Sequence, residues 1–341
     1  MDGVVGFTQH PILPGANFTY EFDIAEDQAG SFWYHAHKQV QRADGLFGGL
    51  IVHRPSIAGS PLDPQKYEYD EERLLLVGDW YHRSANEVLA WYMRAAPFGN
   101  EPVPDSLLIN GLGAYNCSKA VRARPVECVQ HQGTAVPNLH FDRSKRYRLR
   151  LVNTALHPHL KSTSPPSPPL HPSSPPLPPT TTHTLLLYAN TLKLSHRANA
   201  PHGYMNQTSW SPQATPPGLL TTLPRAQWDS NQLVPHLPLS HWVTIILNNL
   251  DDGAHPFHLH GHAVRVVRTR AALWNPWGGE GGDEGLELER AVRRGHVVLR
   301  FEAGNAGVWM LRCHNLWHQA SGMAMGVEVG GDGGGGGGGG D

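Results

Sequence analysis

The side chains best suited to chemistry lie close together late in the sequence, where Cys313 is followed by His318 and Met323. A thiolate, an imidazole and a thioether are three donors of the copper sites that combine two histidines and one cysteine with a weak axial methionine. The missing imidazole is expected upstream, in His255-Pro256-Phe257-His258-Leu259-His260-Gly261-His262. A third cluster, Trp33-Tyr34-His35-Ala36-His37, again holds two histidines two residues apart. These donor types predict a copper site.

The alternation of side chains along a strand decides which of these donors share a face. Successive side chains of a strand point to opposite sides, so a strand from Val308 to His314 turns Cys313 one way and Arg312 the other. In the upstream cluster, His258 and His260 share one strand face, while His255 is free to face the other way. One pair of strands can therefore contact two separate metal centres.

With these three clusters, the sequence resembles the multicopper oxidase superfamily of laccases, ascorbate oxidases and ferroxidases, and it carries three of that family's four copper motifs. The resemblance implies these copper ligands: His255, Cys313 and His318 with axial Met323 for the type 1 ion, His258 for the type 2 ion, and His35, His37, His260 and His314 for the type 3 pair. Cys313 and His314 would form the electron-transfer path between the type 1 ion and the three-copper site. His262 lies outside this ligand set, and a hydrogen-bonding or packing role is expected for it.

Two departures from the family pattern affect the three-copper site. Arg312 stands where the family has a histidine, and a guanidinium has no lone pair to give a metal. The family's first motif, HxHG, is not found, and Asp2-Gly3-Val4-Val5-Gly6 resembles the text that follows that motif, so the sequence is expected to begin inside the first domain. The resemblance therefore implies a complete type 1 site, and type 2 and type 3 copper only if the missing ligands are supplied.

The expected fold class is all-β, and the resemblance makes it a tandem array of cupredoxin-like (plastocyanin-like) Greek-key β-sandwiches in which the C-terminal one is the most complete. Period-two alternation predicts sandwich strands, including one around Phe18, Tyr20, Phe22 and Ile24 and another from Arg146 to Asn153. The predicted organisation is a partial cupredoxin domain 1 at 1–56, a linker at 57–70, a partial domain 2 at 71–160, a Pro/Ser/Thr-rich low-complexity segment at 161–184, domain 3 at 185–329 and a Gly-rich disordered tail at 330–341.

The Pro/Ser/Thr-rich segment interrupts the second domain. Proline lacks the donor that a sheet needs and favours polyproline II, whereas the resemblance implies further strands at this point. A faulty gene model and a Ser/Pro-rich extracellular spacer are the two explanations. We favour the first, because half a sandwich exposes strand edges and its core face.

Composition narrows the partners and the compartment. The 27 Lys and Arg residues nearly balance 29 Asp and Glu residues, so no basic field predicts nucleic-acid binding. The sequence contains no run of about 18 apolar residues, so no membrane span is predicted. Cys117 and Cys128 are candidates for a disulfide, and Asn17, Asn116 and Asn206 begin glycosylation sequons. These features predict a secreted, extracellular glycoprotein, although the sequence shows no signal peptide at its start.

The leading functional prediction is a laccase-like copper oxidoreductase that takes single electrons from phenols or aromatic amines and reduces O2 to water. A ferroxidase-type metal oxidase is the alternative, and it needs carboxylates beside His255 or His318 to bind the donor cation. Candidates for that role are Asp251, Asp252, Glu280, Asp283 and Glu284. For Asp251 and Asp252, a solvated turn before a strand is the favoured interpretation.

Two further alternatives come from outside the oxidases. The chain could be a cupredoxin-like electron-transfer protein that binds copper without oxygen chemistry, built on the third domain. It could also be a defective gene-model fragment that corresponds to no stable protein. Copper count separates the first of these from an oxidase, since a cupredoxin binds a single ion.

Overall fold

The computed structural model describes residues 2–24, 28–54, 62–97, 100–121, 127–128, 137, 139–156, 177–178, 180–215, 218–270, 290–291 and 294–331. The chain forms two compact units. Unit 1 contains Met1–Tyr20, Ala90–Asn100 and Thr163–Asp341, and unit 2 contains Glu21–Leu89 and Glu101–Ser162. Three parts of the chain lie largely or wholly outside the described residues. They are the Pro/Ser/Thr-rich segment, the Gly-rich tail, and the stretch that contains Glu280, Asp283 and Glu284.

The first part of the chain, up to Asn153, forms two small sheets. Its elements are β1 (Gly30–His35), β2 (Phe47–Val52), α1 (Asp63–Tyr67), β3 (Glu71–Trp80), α2 (Ala85–Tyr92), β4 (Ser106–Ile109) and β5 (Tyr147–Asn153), with 3-10 helices at Gln41–Asp44 and Cys117–Lys119. Strands β1 and β2 pair antiparallel. In the other sheet, of order β4-β3-β5, β3 is antiparallel to β4 and parallel to β5.

One face of the β4-β3-β5 sheet is covered and the other is open. Arg150 points to the covered face, where its Nε lies 2.6 Å from Glu72 Oε2. Its neighbours Leu149 and Leu151 alternate to the opposite face and are 47% and 56% exposed. An apolar sheet face normally packs on a second layer, so this sheet is half of a sandwich within the described residues.

The strand predicted around Phe18 is absent. Residues 17–24 are irregular, and the side chains of Phe18, Tyr20, Phe22 and Ile24 are 45% to 52% exposed. Alternation of apolar and polar residues cannot form a strand by itself, because the backbone donors and acceptors need a neighbouring strand. No strand of the described residues pairs with this segment, and the prediction was wrong.

Unit 1 contains a complete two-sheet sandwich. Its elements are β6 (His183–Lys193), β7 (Pro201–Met205), β8 (His236–Leu237), β9 (Trp242–Asn249), β10 (His255–Leu259), β11 (Arg265–Arg270), β12 (Arg290–Ala291), β13 (His296–Glu302), β14 (Gly307–Cys313), α3 (Leu316–Ala320) and β15 (Ala324–Val329), with 3-10 helices at Ser195–Arg197 and Arg225–Gln227. The two sheets have the orders β12-β10-β14-β15-β8 and β11-β13-β9-β6-β7.

The core of unit 1 lies between these two sheets. Ile245 and Leu247 enter it from β9, and Leu311 and Val327 enter it from the facing sheet, all almost completely buried. Cys313 belongs to the same apolar cluster. Burial of each such side chain stabilises the fold by about 1.5–3 kcal/mol. The prediction of an all-β fold whose C-terminal sandwich is the most complete is confirmed.

The first residues of the chain belong to unit 1 and pack against its sandwich. Val4 and Phe7 are buried in a second apolar cluster with Val234, Val308 and Met310. This packing brings Asp2, two residues before Val4, close to His260. The predicted domain boundaries stay predictions. None of the described helices has the length and apolarity of a membrane span.

Candidate metal centre

Strands β10 and β14 bring the predicted ligands together. They are antiparallel, with Phe257 opposite Cys313 and His258 opposite Arg312. Paired residues share a face, so Cys313 lies on the core side while Arg312 and His258 lie on the other side. The two strands therefore separate two groups of possible ligands.

On the core side, three donor atoms converge. Nδ1 of His255 lies 3.0 Å from Nδ1 of His318, and Sγ of Cys313 lies 3.7 Å from each of these nitrogens. The three donor atoms all lie within 4.8 Å of one another, and the three residues are buried. His318 reaches this position because α3 begins directly after β14, with the Asn315 side chain accepting a hydrogen bond from the Trp317 amide.

Met323 is held beside this group by the backbone. The Cys313 amide donates to the Met323 carbonyl at 3.0 Å, and the Met323 amide donates to the His318 carbonyl at 2.9 Å. Gly203 lies so close to Met323 that a Cβ added at Gly203 would be 2.6 Å from Met323 Cβ. Two imidazoles and one thiolate, with the backbone of Met323 held next to them, fit the donor set of a type 1 copper ion.

The surroundings of Cys313 lower the pKa of its thiol. Burial raises its pKa, but hydrogen bonds with His255 and His318 outweigh burial and lower the pKa to about 6. The thiolate is the form that binds a metal. The contacts with His255 and His318 therefore favour the thiolate of Cys313.

The second ring nitrogen of His255 is held by a carboxylate. Nε2 of His255 lies 3.0 Å from Oδ2 of Asp251, which also accepts a hydrogen bond from the Thr191 amide at 2.8 Å. Burial opposes ionisation of both groups, yet their contact lowers the pKa of Asp251 and raises that of His255. A carboxylate in this position fixes the imidazole and leaves Nδ1 directed at the metal.

The expectation of a solvated turn holds for Asp252 and is wrong for Asp251. The side chain of Asp252 is 80% exposed and pairs with Arg294. Asp251 is turned inward because the end of β6 supplies a backbone donor at Thr191. The sequence places Asp251 before the ligand His255, but nothing in it shows the direction of the side chain.

On the other side of β10 and β14, three histidines form a second group. The rings of His258 and His260 are 4.7 Å apart, and those of His258 and His314 are 5.9 Å apart. Oδ1 of Asp2 lies 2.7 Å from Nδ1 of His260. Sequence reasoning did not identify this contact, because it joins residues 258 positions apart.

Arg312 occupies the same side. It is fully buried, and its Nη1 donates to Oε1 of Gln319 at 2.8 Å. Burial lowers the pKa of His260 and the charge of Arg312 lowers it further, while Asp2 opposes both effects. A guanidinium offers no lone pair, so the described residues of unit 1 do not complete the type 3 ligand set that the resemblance implies.

The remaining predicted residues lie in both units. In unit 2, the rings of His35 and His37 are 4.5 Å apart at the end of β1. In unit 1, His262 donates from Nδ1 to the His260 carbonyl and packs edge-on against Phe301, which fits the packing role expected for it.

Cys117 and Cys128 form a disulfide, with their Cα atoms 6.2 Å apart. Asn17 and Asn116 are exposed, whereas Nδ2 of Asn206 donates to the Leu186 carbonyl at 3.1 Å. Glycosylation stays a prediction at all three asparagines.

Sequence comparisons identify the family. Three family models described as "Multicopper oxidase" match residues 1–57, 71–163 and 191–332. The chain is 27% identical over 406 residues to the iron transport multicopper oxidase FET3 of Gibberella zeae, a match that covers 95% of the chain and 64% of that relative. It is 36% identical over 166 residues to Laccase-1 of Cryptococcus neoformans var. grubii, covering 48% of the chain and 25% of the relative.

The chain thus spans less than two thirds of the length of FET3. Among solved structures, it resembles the laccase of Botrytis aclada with a TM-score of 0.66 and 21% identity, over 95% of this chain and 74% of that one. It resembles Fet3p, a multicopper oxidase that functions in iron import, with a TM-score of 0.65 and 19% identity, over 96% of this chain and 77% of that one. The chain belongs to the multicopper oxidase family, has its cupredoxin-like fold and uses copper as its cofactor.

Proposed function

We propose that the chain is a laccase-like copper oxidoreductase that takes single electrons from phenols or aromatic amines and passes them to O2, which is reduced to water. The observation that carries this proposal is the convergence of His255 Nδ1, His318 Nδ1 and Cys313 Sγ within 4.8 Å. A copper ion bound there would accept one electron at a time from the donor. Cys313 is a free cysteine, so its thiol stays available for the metal.

The chain's own residues supply the electron path. Cys313 would hold the copper ion on the core side, and the adjacent His314 lies beside His258 on the other side. Two consecutive residues therefore link the two groups of ligands by covalent bonds. Asp251 fixes the imidazole of His255, and the burial of the ligand group would keep water away from a copper ion bound there.

A ferroxidase-type activity is the second candidate, and the position of Asp251 favours it. The Asp251 carboxylate lies against a type 1 ligand, and carboxylate oxygens suit a metal-ion donor. Iron transport oxidases are also among the relatives. The discriminating variant is Asp251→Asn, measured as the ratio of Fe2+ oxidation to phenol oxidation, because loss of the contact with His255 should lower both rates whereas loss of a cation-binding carboxylate should lower only the first. A fall in Fe2+ oxidation relative to phenol oxidation would favour the ferroxidase, and an unchanged ratio would favour the laccase.

An electron-transfer protein without oxygen chemistry is the third candidate, and Arg312 favours it. A buried guanidinium beside His258 opposes a copper ion on that side of the strands. The chain would then hold only the type 1 ion. A defective gene-model fragment would hold no copper at all.

The proposal is tested with the copper-loaded full chain. A reducing phenol added without air should bleach the visible absorption of the type 1 ion, and O2 should restore it while being consumed. Failure of phenols to bleach the protein would contradict the laccase-like proposal. Bleaching without recovery in O2, with a single copper per chain, would identify the electron-transfer protein.

We further propose that the protein is secreted. The disulfide between Cys117 and Cys128 supports an oxidising compartment. Mass spectrometry of an unreduced digest tests this, since separate peptides carrying free thiols would contradict it.

A further inference from the structure

Two histidines that belong to neither group of copper ligands lie side by side where two neighbouring strands of unit 1 begin. His183 is the first residue of β6, and His241 comes directly before β9. Their ring centres are 5.3 Å apart, with the ring planes at 72°. Both residues are half-buried. Histidine is the commonest protein ligand of metals, and two imidazoles are half of a tetrahedral donor set.

The distance between the two rings fits a shared ion. Zinc binds an imidazole nitrogen at about 2.0–2.1 Å in tetrahedral geometry, which places the centres of two bound rings about 5.2 Å apart. Ring pairs among the predicted copper ligands cover the same range, from 4.5 Å for His35 and His37 to 5.9 Å for His258 and His314. The spacing of the new pair therefore allows both rings to bind one ion.

The hydrogen bonds of the pair leave nitrogen lone pairs for a metal. Nδ1 of His241 lies 2.9 Å from the Leu239 carbonyl, which can only accept. In the neutral imidazole, Nδ1 therefore carries the proton and Nε2 has the lone pair. A backbone carbonyl on the other ring nitrogen is a usual partner of a metal-binding histidine. Within the described part of the chain, the ring of His183 makes no hydrogen bond that would compete with a metal.

The backbone around both histidines is held by contacts that do not involve their rings. Strands β6 and β9 are parallel neighbours, and just before β6 the Oγ1 atoms of Thr181 and Thr244 lie 2.7 Å apart. The His241 carbonyl accepts a hydrogen bond from the Ala303 amide at 2.8 Å. Because the backbone is already ordered, binding an ion costs mainly the rotation of two side chains.

The donor types decide which ions the pair favours. Neutral imidazoles suit divalent ions such as Zn2+, Ni2+ and Cu2+, whereas Ca2+ and Mg2+ prefer oxygen ligands. Since the two residues are half-buried, water can reach the remaining coordination positions of an ion.

We propose that His183 and His241 form a separate transition-metal site, which binds one divalent ion such as Zn2+ through a nitrogen of each ring and joins the start of β6 to the start of β9. The site uses neither Cys313 nor the histidines beside β10 and β14. The proposal is therefore independent of the proposed function.

Zinc binding by the full chain, given one copper ion per chain beforehand, tests this site. Equilibrium dialysis against Zn2+ should find one zinc ion more in the unchanged chain than in His183→Phe or His241→Phe, and added Ca2+ should not displace that ion. Phenylalanine keeps an aromatic ring for the edge-to-face contact but has no lone pair to give a metal. The matched control is His196→Gln, which removes an exposed histidine of unit 1 and should leave zinc binding unchanged.

A shared ion also predicts that the two substitutions are not additive. The double variant of His183→Phe and His241→Phe should lose the same single zinc ion as each single variant, and each single variant should bind that ion at least about tenfold more weakly. Equal zinc content in the unchanged chain and the single variants, a loss of one ion for each histidine, or the same loss in His196→Gln would overturn the proposal and leave a ring contact without a metal. If circular dichroism shows that the phenylalanine variants do not fold, His183→Gln and His241→Gln are measured in their place.

Discussion

Arg312 stands directly opposite His258 in the antiparallel pair of β14 and β10. Because paired residues share a face, the guanidinium lies on the side of the second histidine group and away from Cys313. Gln319 holds it there through a 2.8 Å hydrogen bond. A permanent positive charge is thus built into the place where the family resemblance implies a copper ligand.

This position predicts that Arg312 limits oxygen reduction and spares electron acceptance. In a longer form that carries an HxHG segment upstream, Arg312→His should raise copper per chain and speed the return of colour in O2 by at least about tenfold. Copper content and stopped-flow recovery after bleaching measure the two effects. Arg300→His, on the facing sheet, is the control. A full copper complement and equally fast recovery in the arginine form would show that this interpretation of Arg312 is wrong.

The close contact between Gly203 and Met323 predicts a second effect. In Gly203→Ala, the new Cβ would lie 2.6 Å from Met323 Cβ and from its backbone nitrogen, so the Met323 segment must shift. We expect a loss of about 1–3 kcal/mol in the free energy of unfolding, together with a changed visible spectrum. Gly304→Ala is the control, because its Cβ would meet only Glu302 Cγ, at 3.9 Å. An unchanged spectrum and stability in Gly203→Ala would show that Met323 is not held by this packing.

The contact between Asp251 and His255 predicts how the stability of the copper-free protein depends on pH. The pKa of His255 is raised, so its contribution is complete below the ordinary value of 6.5 and is lost as pH rises through the raised pKa. The pKa of Asp251 is lowered, so its contribution is present above 3.8 and is lost as pH falls through the lowered pKa. Between 3.8 and 6.5 the ion pair is complete.

Asp251→Asn should therefore lower the free energy of unfolding by about 1–2 kcal/mol in that window and by less outside it. Urea unfolding of the copper-free protein over a range of pH measures the difference. Asp252→Asn serves as the control, since the Asp252 carboxylate is exposed. A destabilisation by Asp251→Asn that does not change with pH would rule out the ion pair as its cause.

Part of this arrangement could be predicted from local sequence. Alternation along a strand separates Cys313 from Arg312, and the pairing of β10 with β14 shows the same separation. The strand from Arg146 to Asn153 was also predictable, because its apolar residues recur at every second position. Around Phe18 the same pattern failed, since a strand also requires a partner that local sequence does not reveal.

Contacts between residues distant in the sequence could not be predicted from it. The approach of Asp2 to His260 depends on the burial of Val4 and Phe7 against the sandwich of unit 1. The inward turn of Asp251 depends on a backbone donor at Thr191, in another strand. Neither contact leaves a periodic signal in the sequence, because each is created by tertiary packing.

The central claim is that Cys313 is the thiolate ligand of a type 1 copper ion, and a Cu(II) titration of the unchanged chain and of Cys313→Ser tests it most directly. The unchanged chain should develop intense visible absorption from the thiolate–copper bond, reaching its maximum with the type 1 ion filled. Cys313→Ser should show none of this absorption, although it still folds, as judged by circular dichroism. Visible absorption of the same intensity in Cys313→Ser would contradict the account.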